Sequence, residues 1–437
     1  MNHKLSNNSE QYKKIVSYAK NAMLSNLVIV LFLVISILGF IFSNTSFSFL
    51  LSQLTIRITR NLFLILSLII PVLAGMGLNF SIVLGAMAGQ IGLIMITHWH
   101  FDGIAGLLLA AVISSPISLV LGYFAGRLFN KTKGQEMITG MILGFFAVGL
   151  YDLILLYLVG KVIPMNNPEL ILSDGVGIKN TIELHEKTKS ALDKIWNISL
   201  YDFVIYAAIV MLILTGCKIV RDYLRDKKQR NVTSAFSTNT GLIIGAVLLW
   251  AAVLLSTMNK GFKIALLFSR VPVVTVLVIT ALCLFFAFFM RTKIGQSIRT
   301  VGQDMNVARA AGIHCNSVRI VAIMLSTLLA GWGQLIFIQD MGNFNTYSSH
   351  EQVGTFAIAA LLVGGASVSK ATIWQALLGV ILFHTLFIVS PIAGKNLFND
   401  AQIGEYFRVF VSYGVIGLSL VLHGWKKARD ANKQNQT

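Results

Sequence analysis

What most constrains this chain is the alternation of bilayer-length apolar runs with short basic intervals. Stretches 26–43, 103–126, 137–160, 271–290 and 318–338 each hold at most one charged residue. A helix of about 20 such residues crosses a hydrocarbon core of roughly 30 Å. In lipid every backbone N–H and C=O must find its partner inside the protein, so these runs are expected to be helices. Composition agrees. Over 437 residues the mean hydropathy is +0.74, with 55% hydrophobic and 12% charged residues, where a soluble domain has about a quarter charged. The expected fold is an all-α polytopic transmembrane bundle of about ten to twelve spans.

The net charge of +17 would suggest a nucleic-acid partner in a soluble domain, but here its placement matters more than its sum. With both termini in the cytoplasm, about two Lys/Arg lie inside for every one outside, and the inverted topology reverses that bias. No nucleic acid is expected. The implied organisation is a cytoplasmic segment 1–25, a membrane domain 26–423 and a basic cytoplasmic tail 424–437. Residues 161–199 carry as many lysines as acids, which fits an external insertion that escapes the positive bias. Its run ELHEKTKSALDKIW looks helical, and the segment either meets an external partner or caps the bundle. Three scattered cysteines, Cys217, Cys283 and Cys315, offer neither a disulfide framework nor a zinc spacing and read as small apolar fillers.

Along the chain, Arg57 and Arg60 are expected in a short loop before a second span, 62–78, which contains Pro71. A third span, 81–97, contains Gln90. A proline and an amide in lipid need neighbouring helices to satisfy them, so both spans should be interior. His98, His100 and Asp102 form a metal-like turn, but with no further ligand visible they read as a polar outer turn, and no metal is expected. Asp152 lies deep in an apolar run, either on a solute pathway or in a helix–helix hydrogen bond. Run 352–366 is short enough to be a half-helix. The pairs Gly85/Gly89, Gly122/Gly126, Gly140/Gly144 and Gly241/Gly245 point to close helix packing.

Residues 291–312, RTKIGQSIRTVGQDMNVARAAG, are a polar basic interval between two spans. Asp304 is placed to cap a two-turn helix through Asn306 and the small residues Ala308, Ala310 and Ala311, and Gly312 falls where a left-handed cap belongs. Small side chains admit a close partner backbone, and Arg309 offers a bidentate handle. The residues alone leave two readings open: a docking helix, or a solvated positive-inside loop.

This stretch, with LLAGWGQLIFIQ at 328–339 and GTFAIAALLVGGASVSKATIWQALLG at 354–379, resembles bacterial ABC-importer permeases of the branched-chain amino acid, monosaccharide and nucleoside type. The matching elements are Arg291, Thr292, Gly295, residues 299–302 and residues 308–313. They cover the last third of the chain well and the first half loosely. Gly77 and Asn79 match a motif of the nucleoside-type members, but its glutamate is missing here.

The resemblance implies a type II-like importer permease in the bacterial plasma membrane, with a cytoplasmic coupling loop at 291–317. Its ATPase contacts would be Asp304, Asn306, Ala308, Arg309, Ala310, Ala311 and Gly312. It further implies separate ABC ATPase subunits, a second permease copy or homologous permease, and an extracytoplasmic substrate-binding protein. Its pathway would be lined by Asn79, Gln90, Asp152, Phe356, Gly364 and Gly365.

No Gly-x-x-x-x-Gly-Lys-Ser/Thr loop occurs, so no cofactor is expected on this chain, and ATP with Mg belongs to a partner. No HExxH or nucleophile–base pair marks a catalytic site, so no enzyme is expected. Few polar groups and no strongly charged lining argue for a neutral or zwitterionic solute, with a simple sugar or nucleoside ahead of the rest. The alternatives are a branched-chain amino acid and, with Asp152 and Asp202 as its few carboxylates, an ion-coupled secondary transporter.

Overall fold

The computed structural model describes residues 27–225 and 240–410, with six further residues between 413 and 421. The expected segment 1–25 and tail 424–437 lie outside the described residues.

The chain opens with α1 (Leu27–Ser43), α2 (Phe47–Ser67), α3 (Ile69–Leu73), α4 (Ile82–His98), α5 (Gly103–Lys131) and α6 (Glu136–Leu153), the last extended by a π turn over Ile154–Leu158. The insertion follows, with strands β1 (Thr181–Glu183) and β2 (Asn197–Ser199). Next come α7 (Leu200–Arg225), α8 (Thr240–Met258), α9 (Lys260–Phe268), β3 (Arg270–Pro272) and α10 (Val273–Phe289). The chain continues through α11 (Lys293–Gln303), α12 (Met305–Ala310), α13 (Cys315–Met341), β4 (Asn343–Asn345), α14 (Ser349–Val363) and α15 (Ile373–Phe398). The architecture is an all-α multi-pass bundle. Two short antiparallel strand pairs, β1 with β4 and β2 with β3, stitch the insertion to it.

Among the described residues six helices are long and apolar enough to cross a membrane, or up to eight if each bent pair is one span. The sequence estimate of ten to twelve was larger. One reason is that α1 and α4 are only 17 residues each, and α14 is 15; at 1.5 Å per residue α14 is about 22 Å long. The bent pairs are α8 with α9, turned by 114°, and α10 with α11, turned by 76°. Asn259 caps the first bend by accepting from the Phe262 N–H at 3.1 Å.

Three local expectations are corrected. Arg57 and Arg60 do not sit in a loop: α2 begins at Phe47 and carries both. Arg60 is stabilised there by an ion pair with Asp340 of α13 and by the Phe337 ring 5.9 Å away. The second span therefore starts well before residue 62 and breaks at Leu68, where Pro71 removes the bond that Ser67 C=O would accept. The helical-looking run at 183–196 is a chain of turns, because Ser190 adopts φ +56° and interrupts the ladder. Cys315 is buried and Cys283, half-buried, packs against the core, as apolar fillers do, whereas Cys217 is exposed.

Helix α13 forms the centre and packs on α5, α4 and α2. Glycine makes those contacts possible. A Cβ on Gly85 would fall 2.3 Å from Thr327 O, one on Gly89 2.6 Å from Gly331 O, and ones on Gly122 and Gly126 2.9 Å from α13 backbone. By contrast α6, α7 and α8 turn large apolar side chains such as Phe145, Phe146, Leu212, Ile213, Val247 and Leu248 outward, as lipid-facing helices do.

Candidate functional site

Two constellations lie toward opposite ends of α13, a helix of 27 residues and so about 40 Å long.

The first is built around α12. After α10 the chain turns at Thr292, whose hydroxyl caps α11 by accepting from the Gly295 N–H. Helix α11 buries Ile298 and Val301. Gly302 lies so close to the end of α3 that a Cβ there would sit 2.0 Å from Leu73 O. Asp304 then caps α12, its carboxylate accepting from the Asn306 and Val307 N–H groups at 2.6 and 3.2 Å. Gly312 follows at φ +76°. Of the small residues only Ala308 is buried, in a cluster with Val301 and Cys315. Asn306, Arg309, Ala310, Ala311 and Gly312 face outward.

Beneath α12 lies a group that sequence reasoning missed. Arg319 is 1% exposed, forms an ion pair with Glu136, donates to Phe129 C=O at 3.3 Å and approaches Met305 Sδ at 3.7 Å. Glu136 in turn accepts from the Gly134 N–H at 2.9 Å. One guanidinium thus joins α12, α13, the end of α5 and the start of α6. The available signal was a lone arginine at the second position of the apolar run 318–338.

The second constellation is a polar cluster between α4, α6, α13 and α14. Gln90 Oε1 accepts from Tyr151 O–H at 3.2 Å and pairs with His350 Nδ1 at 2.8 Å, while its Nε2 donates to Asn345 C=O at 3.4 Å. That last bond fixes the amide orientation, so His350 Nδ1 must carry the proton. In the uncharged ring Nε2 is then an acceptor, and it has no partner. Gln334 Nε2 donates to Ser349 Oγ at 3.5 Å, and its Oε1 is likewise unpartnered. Asp152, next to Tyr151, has an unpartnered Oδ1. Burial and, after it, the Asp152 carboxylate push the phenol of Tyr347 up to about 12. Gln90, Gln334 and His350 are each 0% exposed.

The insertion closes over this cluster. Thr346 N–H donates to Asn180 C=O at 2.8 Å, Thr346 O–H to Lys179 C=O at 2.8 Å and Tyr347 O–H to Ile178 C=O at 2.6 Å. Nearby, Gln339 donates to Asp193 at 2.8 Å and accepts from the Leu192 N–H at 3.3 Å.

Of the six pathway candidates, Gln90 and Asp152 fall in or beside this cluster and the other four do not. Asn79 is buried lower down, donating to Ser326 at 3.3 Å and accepting from the Ser81 N–H at 3.1 Å, about 16 Å from Gln90 along the chain's helical rise. Phe356 packs against Phe383 and Phe387. Gly364 is a packing contact between α14 and α15, since a Cβ would lie 1.8 Å from Gln375 O, and Gly365 makes the turn at φ +83°. Tyr151, Gln334 and His350 were not singled out from sequence. As to the His98/His100/Asp102 turn, Asp102 lies 3.2 Å from His185 Nδ1, and no group of three potential ligands occurs among the described residues.

A family model described as branched-chain amino acid transport system / permease component matches residues 198–420, just over half of the chain. Among curated proteins the chain is similar to the probable ABC transporter permease protein YphD of Escherichia coli, 31% identical over 133 residues, which are 30% of this chain and 40% of that one. It is similar to the nucleoside ABC transporter permease protein NupB of Lactococcus lactis, 26% over 155 residues, 35% of this chain and 36% of that one. It is also similar to the guanosine ABC transporter permease protein NupQ of Bacillus subtilis, 27% over 170 residues, 38% of this chain and 50% of that one. The chain thus spans half or less of the length of each of these relatives. No solved structure matches it.

Proposed function

The chain belongs to the branched-chain amino acid transport system / permease component family, and we propose from that premise that it is the membrane-spanning subunit of an ATP-binding-cassette importer for a neutral sugar or nucleoside. Its relatives' names include nucleoside and guanosine permeases, which favours that class over amino acids. ATP and Mg are used by separate ATPase subunits, which dock on α12 through Arg309, Ala310 and Ala311. The chain pairs with a second permease in the inner membrane, both termini lie in the cytoplasm, and the insertion faces an external binding protein.

The observation that carries the reading is α12 itself. A capped helix, anchored on one side by Ala308 and presenting small residues and an arginine on the other, is built to be gripped. Such a permease switches between access states only when closure of its ATPases biases the bundle. An ion-coupled carrier would need a carboxylate that binds and releases its ion, and Asp152, partly exposed within an apolar run, is the candidate. Reconstitution in liposomes separates the two. The chain alone supports no concentrative uptake, and Asp152→Asn in the full complex retains substantial ATP-dependent uptake. Accumulation by the chain alone under an imposed proton or sodium gradient overturns the reading.

A further inference from the structure

We propose that Gln334 and His350, held by Gln90 and Tyr151, recognise the transported solute, and that what they bind is the hydroxyl groups of a neutral sugar ring, free or as the ribose of a nucleoside. This rests on the permease reading and gives it a recognition point.

The argument is one of unmatched hydrogen-bonding capacity. An unsatisfied buried polar group costs about 1 to 3 kcal/mol, and such groups are rare in folded proteins. This cluster holds two on fully buried side chains, His350 Nε2 and Gln334 Oε1, with a third on the neighbouring Asp152. All three are acceptors. The cluster's own donors are directed elsewhere: Tyr151 O–H and His350 Nδ1 at Gln90, one Gln90 Nε2 hydrogen at Asn345, and one Gln334 Nε2 hydrogen at Ser349. The three acceptors are therefore left without donors.

The chemistry of the set narrows the class. A sugar ring carries adjacent O–H donors, with their own oxygens left free for backbone or water. A free amino acid supplies an ammonium, but its carboxylate would need donors and a cation. The cluster presents no cationic side chain, and Asp152 and Glu351 beside it would repel the carboxylate. Phosphorylated sugars fail for the same reason. The location fits as well: the cluster lies directly under the strand pair and hydrogen bonds by which the insertion closes over α13 and α14, so a solute admitted from that side meets these acceptors first.

The test uses the complete transporter in membrane vesicles with its own ATPase and binding protein, measuring initial uptake of tritiated adenosine against 2′,3′-dideoxyadenosine, of D-ribose against 2-deoxy-D-ribose, and of L-leucine. Wild type takes up a hydroxylated solute in preference to its deoxy analogue; which pair responds tells nucleoside from free sugar. Gln334→Met removes one acceptor at nearly constant volume. It lowers that preference by about three- to tenfold, the worth of one hydrogen bond, while the variant inserts normally and melts close to wild type, because the acceptor removed had no partner and the only bond lost is the long one, 3.5 Å, to Ser349. His350→Phe lowers the preference similarly.

An unchanged preference in both variants overturns the assignment while leaving the permease reading intact, as does chain-dependent uptake of leucine alone. A Gln334→Met protein that fails to insert or melts well below wild type shows that the side chain is structural and equally overturns it. Absence of any ATP-dependent uptake that requires the chain sinks the permease reading, and the assignment with it.

Discussion

The Arg319–Glu136 pair gives the sharpest test of how α12 is held. Arg319 is 1% exposed and Glu136 9%, so each charge depends on the other for most of its compensation. Glu136→Met leaves the guanidinium with only Phe129 C=O and the Met305 sulfur. Removing one partner of a buried pair costs about 3 to 5 kcal/mol. Arg319→Met is milder, at about 1 to 3 kcal/mol, because Glu136 still accepts from the Gly134 N–H and lies nearer the surface.

The double variant Arg319→Met/Glu136→Met removes both charges and fills the space with apolar groups, a replacement that is often neutral or stabilising. The two substitutions are therefore expected to be strongly non-additive, with the double variant melting above the Glu136→Met single variant when thermal unfolding is followed in detergent. Retention of the ATPase partner on purification should follow the same order, since α12 rests on Arg319 through Met305. Strictly additive melting shifts, or a Glu136→Met protein as stable as wild type, would refute the claim that this pair fastens α12 to the bundle.

Two further outcomes follow from exposure. Ala310→Trp or Ala311→Trp, both at outward positions, leaves the chain inserted and as stable as wild type but strips the ATPase from the purified complex, whereas Ala308→Trp, at a fully buried position, destabilises the chain itself; a complex that keeps its ATPase and full uptake with Ala310→Trp removes the docking assignment. Lys187→Cys, exposed in the insertion, reacts with a membrane-impermeant maleimide in intact cells, and labelling that appears only after permeabilisation reverses the topology.

The fold class was legible because lipid imposes one rule, internal hydrogen bonding, on every apolar run, and the pairs Gly85/Gly89 and Gly122/Gly126 were legible because close backbone approach admits nothing larger, whereas Gly144 and Gly245 meet no backbone that closely. The cap at Asp304 and the turn at Gly312 were likewise readable, both being local in sequence. What failed were features set by distant partners. Arg60 looked like a loop residue until Asp340, on another helix, satisfied it within α2. The 183–196 run has helical composition, but its backbone bonds go partly to α13, as when Ser190 N–H donates to Gln339 C=O at 2.6 Å. The polar cluster was half found: Gln90 stood out as an amide in an apolar span, and Gln334, an amide in the run 318–338, carried the same signal unread, whereas His350 acquires meaning only when α14 folds back against α4. Phe356, Gly364 and Gly365 stood out for their family pattern, which a tight helix contact accounts for as readily as a pathway does.

The two constellations are joined by a single element. Arg319 and Gln334 lie on α13 about 22 Å apart, and Gln339, which holds the insertion, about 30 Å from Arg319. Between them α13 meets α4 and α5 through Gly85, Gly89, Gly122, Gly126 and Gly331. At Gly85, Gly89, Gly122 and Gly126 the nearest neighbour is α13 backbone, so little side-chain freedom is left there to absorb a shift. Close-packed interfaces of this kind transmit displacement rather than dissipate it. The seam above is of a different character. Gln339 with Asp193, Thr346 with Asn180 and Tyr347 with Ile178 are hydrogen bonds that water or solute can replace one by one. On the proposed function, a load applied at α12 through Met305 and Arg319 would pass along α13 toward the hydrogen-bonded closure over the polar cluster.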